Sequence, residues 1–271
     1  MDRYAVFGNP VAHSLSPAIH ARFGELTGDR IDYRALEVPL GGFAIFAQAF
    51  FDAGARGANV TLPFKVDAYE LASTRSDRAN AAGAANFLAL RDGAIHADNT
   101  DGAGLVTDLE TNLACAIEGA EILLVGAGGA ARGVIAPLLA RKPRRLVIAN
   151  RTEATARTLA SRFAAQGPVE GASLAAIPRA RYAIVLNATS TSTRGESLAL
   201  PPHVFDGGVL AYDMAYGPAA DRFLAAARGA GAASSSDGLG MLVEQAAESF
   251  WLWRGARPPT AAVLAELRAR R

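Results

Sequence analysis

The chain contains little cysteine and little lysine, no long apolar run and almost no net charge. Cys115 is the single cysteine among 271 residues, which excludes an internal disulfide and favours a reducing, cytoplasmic location. The net charge of +1 argues against a nucleic-acid-binding protein. No apolar stretch approaches the ~18 residues that a membrane helix needs, and the N-terminus leads directly into a strand-like run. We therefore expect neither a membrane segment nor a signal peptide.

The scarcity of lysine also points to a functional residue. Lys65 and Lys142 stand among 27 basic residues, and all the others are arginine. Where arginine serves as the general cation, a retained lysine indicates an amine that must exchange a proton, which arginine cannot readily do. Lys142 has the sequence context of an exposed helix end, whereas Lys65 follows a buried strand. The four histidines show no metal-ligand spacing with cysteine or glutamate, so no metal site is expected.

A glycine-rich turn in mid-chain predicts nucleotide binding within an α/β fold. Residues 121–125 form a short apolar strand, and Gly126, Gly128 and Gly129 follow at once before an apolar helix. In such a turn Gly126 permits the sharp bend, and Gly128 allows the backbone to approach a pyrophosphate at the helix N-terminus. The pattern alone is weak, but a second strand follows at the distance of a βαβ unit.

The end of that second strand indicates the cofactor. Residues 145–149 run into Asn150, Arg151 and Thr152. A site that prefers NAD usually has an acidic residue here for the ribose 2′-hydroxyl, whereas an arginine suits a 2′-phosphate. The middle of the chain is therefore predicted to bind NADP.

Polar residues interrupt other apolar strands. Alternation along residues 57–62 places Asn59 and Thr61 on one face, where buried polar groups are costly unless they bind something. Lys65 begins the next helix, so its amine is expected beyond the carboxyl edge of the strand, where ligands of open α/β sheets collect. Asn86 is another polar residue among small apolar neighbours.

Three further polar residues have a structural and a functional interpretation. Asp101 fits the N-cap of a helix over residues 102–112, or a carboxylate directed at the same cleft as Lys65. Ser16 fits the N-cap of a helix that starts near Pro17, or a ligand contact, while Ser14 has no expected capping role. Gln245 lies at the margin of the apolar stripe of a long helix, within reach of a ligand.

Seven stretches resemble one known family, in the same order and along nearly the whole chain. They are Gly8-Asn-Pro-Val-Ala-His-Ser-Leu-Ser-Pro17, Asn59-Val-Thr-Leu-Pro-Phe-Lys65, Asp98-Asn-Thr-Asp-Gly102, Gly126-Ala-Gly-Gly-Ala130, Asn150-Arg-Thr152, Tyr212-Asp-Met214 and Asp237-Gly-Leu-Gly-Met241. Through them the chain resembles the shikimate dehydrogenases. The resemblance implies the reversible, NADP-dependent reduction of 3-dehydroshikimate to shikimate in chorismate and aromatic amino-acid biosynthesis.

The family also implies a domain arrangement and a site. An N-terminal α/β substrate domain completed by C-terminal helices (1–101 and 238–271) is expected around an inserted Rossmann-like NADP domain (102–237), in a monomer or homodimer. The catalytic pair is implied to be Lys65 and Asp101. The implied substrate ligands are Ser14, Ser16, Asn59, Thr61, Asn86, Tyr216 and Gln245. The implied cofactor contacts are Gly126, Ala127, Gly128, Gly129, Ala130, Asn150, Arg151, Thr152, Asn187, Thr189, Met214, Gly238 and Met241.

The sequence departs from the family pattern at three places. Thr155 stands where a second basic residue often follows the Asn-Arg-Thr segment, so preference for NADP over NAD is expected to rest mainly on Arg151. Phe87 replaces a common threonine, which removes one polar contact near the substrate. Asp221 begins a helix at a position usually held by threonine, a change expected to be local.

Two other functions compete with this interpretation. A quinate/shikimate dehydrogenase would accept quinate and use NAD as well as NADP, but it often has threonine at one of the positions of Ser14 and Ser16. A non-catalytic sensor of a pathway metabolite would not need Lys65, Asp101 and Gln245 together. Both alternatives are less consistent with the sequence than the NADP-dependent enzyme.

Overall fold

The computed structural model describes residues 1–192 and 194–270, and its internal contacts divide the chain into two units. The first comprises Met1–Gly104 and Leu242–Arg271, and the second Leu105–Met241. The limits predicted for the two domains, and the substrate and cofactor roles assigned to them, stay predictions.

The first unit is built on strands β1–β6. The strands are β1 (Asp2–Gly8), β2 (Ile31–Glu37), β3 (Gly57–Val60), β4 (Thr74–Arg75), β5 (Phe87–Arg91) and β6 (Ala94–Asp98). Between and after them come α1 (Ser16–Thr27), α2 (Phe43–Asp52), α3 (Lys65–Leu71), α4 (Asp77–Ala82) and the start of α5 (Asp101–Thr107).

The second unit alternates strands and helices. Its strands are β7 (Glu121–Val125), β8 (Arg145–Asn150), β9 (Val169–Ser173), β10 (Ile184–Asn187), β11 (Leu210–Asp213) and β12 (Ser234–Asp237), and its helices are α6 (Gly129–Ala140), α7 (Glu153–Phe163) and α8 (Asp221–Gly229). Helix α9 (Leu239–Arg254) begins in the second unit and continues into the first, where α10 (Thr260–Ala269) follows.

The sheet of the first unit is mixed. Its strand order is β2-β1-β3-β5-β6-β4, with β1 parallel to β2 and β3, and β5 antiparallel to β3 and β6. Phe7 of β1 is fully buried and meets Phe50 of α2 edge to face at 5.1 Å between ring centroids. In register, Val6 lies beside Asn59, which places Asn59 on a central strand.

The sheet of the second unit is parallel throughout. Its order is β12-β11-β10-β7-β8-β9, and residues 122–125 of β7 are fully buried in its centre. Burial on both faces explains why these strands are continuous apolar runs in the sequence. The order reverses between β7 and β10, the switch point at which doubly wound sheets bind ligands. The predicted α/β fold class is confirmed.

One predicted element differs in form. The helix expected over 102–112 is α-helical to Thr107 and continues as a π-helical segment over Asp108–Asn112. A π-helical segment is uncommon and often marks a functional region. No helix within residues 1–192 and 194–270 is long and apolar enough to cross a membrane.

Candidate active site

Lys65 and Asp101 form a buried ion pair in the first unit. Lys65 is the first residue of α3 and Asp101 the first of α5. Lys65 Nζ lies 2.5 Å from Asp101 Oδ2, with side chains 14% and 6% exposed. Asn86 Nδ2 donates to the other carboxylate oxygen at 2.9 Å. Both oxygens of Asp101 are therefore engaged, and the carboxylate is directed at the lysine as well as standing at a helix start.

The orientation of the Asn86 amide is fixed by Thr100. The Thr100 backbone N–H donates to Asn86 Oδ1 at 2.7 Å, so Nδ2 must face Asp101 and Gln245 Oε1, the latter 3.1 Å away. Gln245 Nε2 in turn donates to the Leu242 carbonyl at 2.9 Å. The structure therefore brings four of the predicted residues, Lys65, Asp101, Asn86 and Gln245, into one hydrogen-bonded group.

Asn59 belongs to the same hydrogen-bonded group, and other protein groups bind both ends of its side-chain amide. Tyr33 Oη donates to Asn59 Oδ1 at 2.8 Å, and Asn59 Nδ2 donates to Ser249 Oγ at 2.9 Å and to the Asn86 carbonyl at 3.2 Å. Its amide is thus fully engaged within the protein. This arrangement favours a positioning role for Asn59, whereas the sequence predicted a direct substrate ligand, and that prediction remains untested.

Two residues of this network were missed by the sequence interpretation. Thr100 and Ser249 are fully buried, and their hydroxyl oxygens lie 3.2 Å apart. Ser249 also donates to the Gln245 carbonyl one turn earlier in α9, at 3.0 Å. Thr100 stands in the quoted Asp-Asn-Thr-Asp segment, which was a usable signal. Ser249 is a lone serine in a helix, and nothing local distinguishes it.

Ser14 and Ser16 have roles opposite to those expected for capping. Ser16 is already inside α1, and the N-cap position is Leu15 with no side-chain cap. Ser14 Oγ accepts a hydrogen bond from the Ser16 backbone N–H at 3.3 Å. The capping alternative for Ser16 is wrong, since the side chain that meets a backbone N–H at the helix start is that of Ser14. Thr61, the remaining predicted ligand of this unit, is half-buried.

An ion-pair group braces the strand that leads to Asp101. Arg78 Nη2 lies 2.6 Å from Asp98 Oδ2, and Arg78 Nη1 lies 2.8 Å from Glu248 Oε1. Burial alone would raise the pKa of Asp98, but hydrogen bonds from Arg78 and Ser76 outweigh it and hold the pKa below its ordinary value. The charged side chains therefore fix the end of β6, three residues before Asp101.

The glycine turn of the second unit has the geometry of an anion site. Gly126 has a φ of 114°, and a Cβ there would lie 3.1 Å from the Ala188 carbonyl oxygen, so the position requires glycine. A Cβ at Gly128 would meet no described atom within 4 Å, which leaves its backbone open to a ligand. Helix α6 begins at Gly129 without a side-chain cap. Its first N–H groups are therefore available to a phosphate.

The turn after β8 contains an exposed arginine. Arg151 is exposed and makes no hydrogen bond or ion pair within the described part of the chain. Arg157 Nη2, in contrast, lies 2.6 Å from Glu153 Oε1 one helical turn away. Asn150 Nδ2 donates to the Thr152 carbonyl at 3.1 Å and so shapes the turn. Arg151 is thus the available partner for a 2′-phosphate in this segment.

Asn187 and Thr189 are tied to a buried carboxylate that the sequence interpretation did not single out. Asn187 Nδ2 donates to Asp213 Oδ2 at 2.9 Å, and Asn187 Oδ1 accepts from Thr189 Oγ1 at 2.7 Å. Ser192 Oγ also donates to Asp213 Oδ2, at 2.6 Å. Burial raises the pKa of Asp213, and hydrogen bonds from Ser192 and the Ala215 N–H oppose that rise. Asn187 therefore shapes the exit of β10.

The remaining predicted positions also lie in the second unit. Gly238 packs against the backbone at the exit of β11, since a Cβ there would lie 2.4 Å from the Met214 carbonyl oxygen. Met241 is buried, and Met214 and Tyr216 are half-buried. The ligand contacts predicted for these residues stay predictions.

The departures from the family pattern have local explanations where contacts are present. Phe87 is fully buried and stacks on Trp253 with ring centroids 5.0 Å apart, so it belongs to the core of the first unit. Asp221 is the first residue of α8, where a carboxylate stabilises the helix start.

The strand order of the second unit and the glycine turn at its switch point define a Rossmann-type fold, the class shared by pyridine-nucleotide dehydrogenases. Three family models match: the shikimate dehydrogenase substrate binding domain over residues 6–88, shikimate / quinate 5-dehydrogenase over 108–194, and the shikimate 5′-dehydrogenase C-terminal domain over 238–268.

Individual relatives cover the chain almost completely. A protein of Dechloromonas aromatica (strain RCB) named shikimate dehydrogenase (NADP(+)) is 55% identical, over 99% of this chain and 98% of its own. The crystal structure of an Ael1 enzyme from Pseudomonas putida has a TM-score of 0.92 and 44% identity, covering 98% of each chain. A Thermus thermophilus shikimate 5-dehydrogenase in complex with NADP(H) and shikimate has a TM-score of 0.86 and 32% identity, covering 99% of each. The chain belongs to the shikimate dehydrogenase family, which confirms the resemblance.

Proposed function

We propose that this protein catalyses the reversible, NADP-dependent reduction of 3-dehydroshikimate to shikimate. The observation that carries the proposal is the buried Lys65–Asp101 ion pair, 2.5 Å long, in a chain that is 55% identical to a protein named for this reaction. The family's place in chorismate biosynthesis, and a cytoplasmic location suggested by the single thiol of Cys115, belong to the same proposal.

The proton chemistry is assigned to Lys65. Reduction of a ketone places negative charge on the carbonyl oxygen, and an ammonium within hydrogen-bond reach both stabilises that charge and supplies the proton. In the oxidative direction the same amine accepts the proton from the hydroxyl. Asp101 Oδ2, 2.5 Å from Lys65 Nζ, holds the amine in position.

Substrate binding is assigned to polar groups of the first unit, and the contact predicted for Tyr216 stays a prediction. Ser14 and Ser16 are proposed to bind the carboxylate, and Thr61, Asn86 and Gln245 to bind ring hydroxyls. Asn86 already has both amide ends engaged, so a substrate hydroxyl would compete with Gln245 or Asp101 for its donors. We assign Asn59 to holding this group in place.

The second unit has residues that fit NADP. The groups that suit a pyrophosphate and a 2′-phosphate are the start of α6, which has no side-chain cap, the open backbone at Gly128 and the exposed guanidinium of Arg151. NADPH, when bound, supplies the hydride. Asn187 and Thr189 shape the exit of β10, and Met214, Gly238 and Met241 are proposed to complete the cofactor site.

The broader relative, a quinate/shikimate dehydrogenase that also uses NAD, is the second candidate. The family model over residues 108–194 is described as shikimate / quinate 5-dehydrogenase, and Arg157 is paired with Glu153 instead of being free for a phosphate. The narrower activity, on shikimate with NADP, is favoured by the presence of both Ser14 and Ser16 and by the exposed Arg151.

Initial rates of oxidation test these assignments directly. The purified protein is given shikimate or quinate, each with NADP and with NAD. Turnover confined to shikimate and NADP supports the proposal. Comparable rates with quinate or with NAD would instead identify a quinate/shikimate dehydrogenase. No turnover with any pair overturns the enzyme assignment.

A further inference from the structure

Asp108 is a buried carboxylate that no role assigned above uses. It opens the π-helical segment after α5 and is fully buried. Tyr212 Oη donates to its Oδ2 at 2.6 Å, and Asn112 Nδ2 donates to its Oδ1 at 2.9 Å. Within residues 1–192 and 194–270 it forms no ion pair with a cation. A buried carboxylate without a cation is costly unless other groups of the protein stabilise it.

The backbone of Gly240 lies directly against this carboxylate. A Cβ at Gly240 would stand 1.8 Å from Asp108 Oδ1 and 2.3 Å from its Cγ, distances that no side chain can adopt. Gly240 is the second residue of α9, and the first N–H groups of a helix carry partial positive charge. The carboxylate therefore packs against the start of α9 and limits how far the helix start can move, and the partial positive charge of a helix start favours a carboxylate at this place.

The same segment is held on another side by the exit of β11. Gly238 N donates to the Ala215 carbonyl at 2.9 Å, and a Cβ at Gly238 would lie 2.4 Å from the Met214 carbonyl oxygen. Tyr212, the partner of Asp108, stands in β11 two residues before Met214. The contact of the Tyr212 hydroxyl with Asp108, together with the packing of Asp108 against Gly240, thus connects the strand that leads to Met214 with the helix start that contains Met241.

The environment of Tyr212 keeps its hydroxyl protonated. The side chain is fully buried, and burial together with the charge of Asp108 raises its pKa well above the ordinary value. The Met241 backbone N–H opposes that rise, because this hydroxyl also faces the start of α9. The hydroxyl therefore stays a donor to Asp108. A phenylalanine would fill the same space and remove only the hydroxyl.

We propose that Asp108, held by Tyr212, is a positioning residue for the cofactor site. It fixes residues 238–241 relative to Met214, and so sets the affinity for NADP without touching the substrate. The inference rests on the proposed function, because the segment matters for affinity only if it lines the NADP site.

The first test compares Tyr212→Phe and Asp108→Asn with the wild-type protein. NADPH binding is measured by fluorescence titration without shikimate, and the KM values for NADP and shikimate are measured separately. We expect NADPH to bind about tenfold more weakly, a change of about 1.4 kcal/mol. The KM for shikimate should stay within about twofold, since a general loss of structure would change both KM values.

The second unit offers a matched control. Tyr182 is buried like Tyr212. Its Oη donates to the Pro178 carbonyl at 2.8 Å, and both residues lie in the segment that precedes β10. Tyr182→Phe removes a buried tyrosine hydroxyl of the same unit and should lower thermal stability by a similar amount. It should leave the dissociation constant of NADPH unchanged.

Gly240→Ala and its double variant with Asp108→Ala test the contact itself. Alanine is otherwise a better helix residue than glycine, so a loss of NADPH affinity in Gly240→Ala would arise from the clash with the carboxylate. Removing the carboxylate makes room for the added methyl group. Asp108→Ala/Gly240→Ala should therefore recover part of the affinity lost in Gly240→Ala, even if the single variant folds poorly.

The outcomes separate this inference from the proposed function. Failure of the wild-type protein to bind NADPH would overturn the proposed cofactor and this inference with it. Tight binding by the wild type, with equal dissociation constants for Tyr212→Phe, Asp108→Asn and Tyr182→Phe, would overturn the positioning role alone. A loss confined to the first two variants would support it.

Discussion

The two regions predicted to bind ligands differ in the chemical groups that they offer to a ligand. In the first unit the polar groups are side chains, and hydrogen bonds connect Lys65, Asp101, Asn86 and Gln245 into one group. In the second unit the glycine turn offers backbone, with an open position at Gly128 and an uncapped start of α6. The first region is specified by residue identity, and the second mainly by backbone conformation.

This difference predicts different consequences of substitution. A side-chain group in a connected buried network cannot be replaced without leaving partners unsatisfied, which costs far more than the net strength of one hydrogen bond. Backbone donors remain when a neighbouring side chain is changed. Substitutions in the first region should therefore alter turnover or substrate affinity, whereas those in the second should alter cofactor affinity or selectivity.

The largest effect is expected at Lys65. Lys65→Ala removes the proposed proton donor and should lower kcat by roughly a hundredfold or more. Lys65→Arg should keep substrate affinity but not restore kcat, because a guanidinium does not readily release a proton. Initial rates at saturating substrate measure both.

Lys142 supplies the control for charge alone. It is exposed at the end of α6, and Lys142→Ala should leave kcat unchanged. Near wild-type kcat in Lys65→Ala, in a protein with an unaltered melting temperature, would remove Lys65 from the mechanism and with it the main contrast between the two regions.

The pairing of Lys65 with Asp101 could be anticipated because both follow strands that end at one sheet edge. The glycine turn was equally accessible, since its geometry is local. Thr100 could have been singled out from its Asp-Asn-Thr-Asp segment. Ser249 could not, because it meets Asn59 across 190 positions of sequence and no local pattern encodes that contact. The partners of the Asn59 amide, Tyr33 and Ser249, also come from distant elements, so the sequence could not indicate a positioning role beside the predicted ligand role.

Ser14, Asp108 and Asp213 show a related limit. The capping preference of serine is statistical, and loop geometry determined which of the two serines meets the free N–H. Asp108 lies within the helix predicted over 102–112, and Asp213 lies in the quoted Tyr212-Asp-Met214 stretch. Their partners, Tyr212 and Asn187, belong to other elements of the unit, and strand order is not readable from either segment alone.

An effect on stability is expected at His20, a buried residue of the first unit. Its ring is fully buried and stacks on Tyr33 at 4.1 Å, and neither ring nitrogen has a hydrogen-bond partner of good geometry among the described residues. Burial lowers the pKa of His20 to about 3, and the nearby Asn59 side chain opposes that change only in part. In the unfolded chain the ring takes up a proton near pH 6.5.

The folded protein should therefore lose stability as the pH falls from about 6.5 towards 3. At pH 5 the loss from this ring amounts to about 2 kcal/mol. His20→Phe should remove that part of the pH dependence of the melting temperature, and His13→Ala, in an exposed loop, should not. If the melting temperatures of the wild type and of His20→Phe changed with pH in parallel, the buried ring would not lower the stability of the folded protein at acid pH.

A smaller effect on substrate affinity is expected at Thr100. Thr100→Val keeps the shape and the backbone N–H that orients Asn86, but it removes the hydroxyl between Asn86 and Ser249. The KM for shikimate should rise about tenfold, because the lost hydroxyl also contacts Gln245 Oε1 and Ser249 Oγ, and the predicted ring ligands would be held less firmly. The KM for NADP should not change.

Thr100→Ser is the conservative comparison. It restores the hydroxyl and should return the KM for shikimate to within about twofold of wild type. Equal KM values for the valine and serine variants would mean that the hydroxyl does not position the predicted ring ligands, and the side-chain network would then be structural only.

The smallest effect is expected in the second region, at Arg151. Arg151→Ala should raise the KM for NADP about fivefold, because one exposed ion pair contributes about 1 kcal/mol. The KM for NAD and kcat should stay the same, since the backbone donors at α6 are untouched. Arg157→Ala is the matched control, because that guanidinium is already paired with Glu153 at 2.6 Å. If Arg157→Ala raised the KM for NADP as much as Arg151→Ala, the 2′-phosphate would be bound by two cations, and the ion pair with Glu153 would have to open when the cofactor binds.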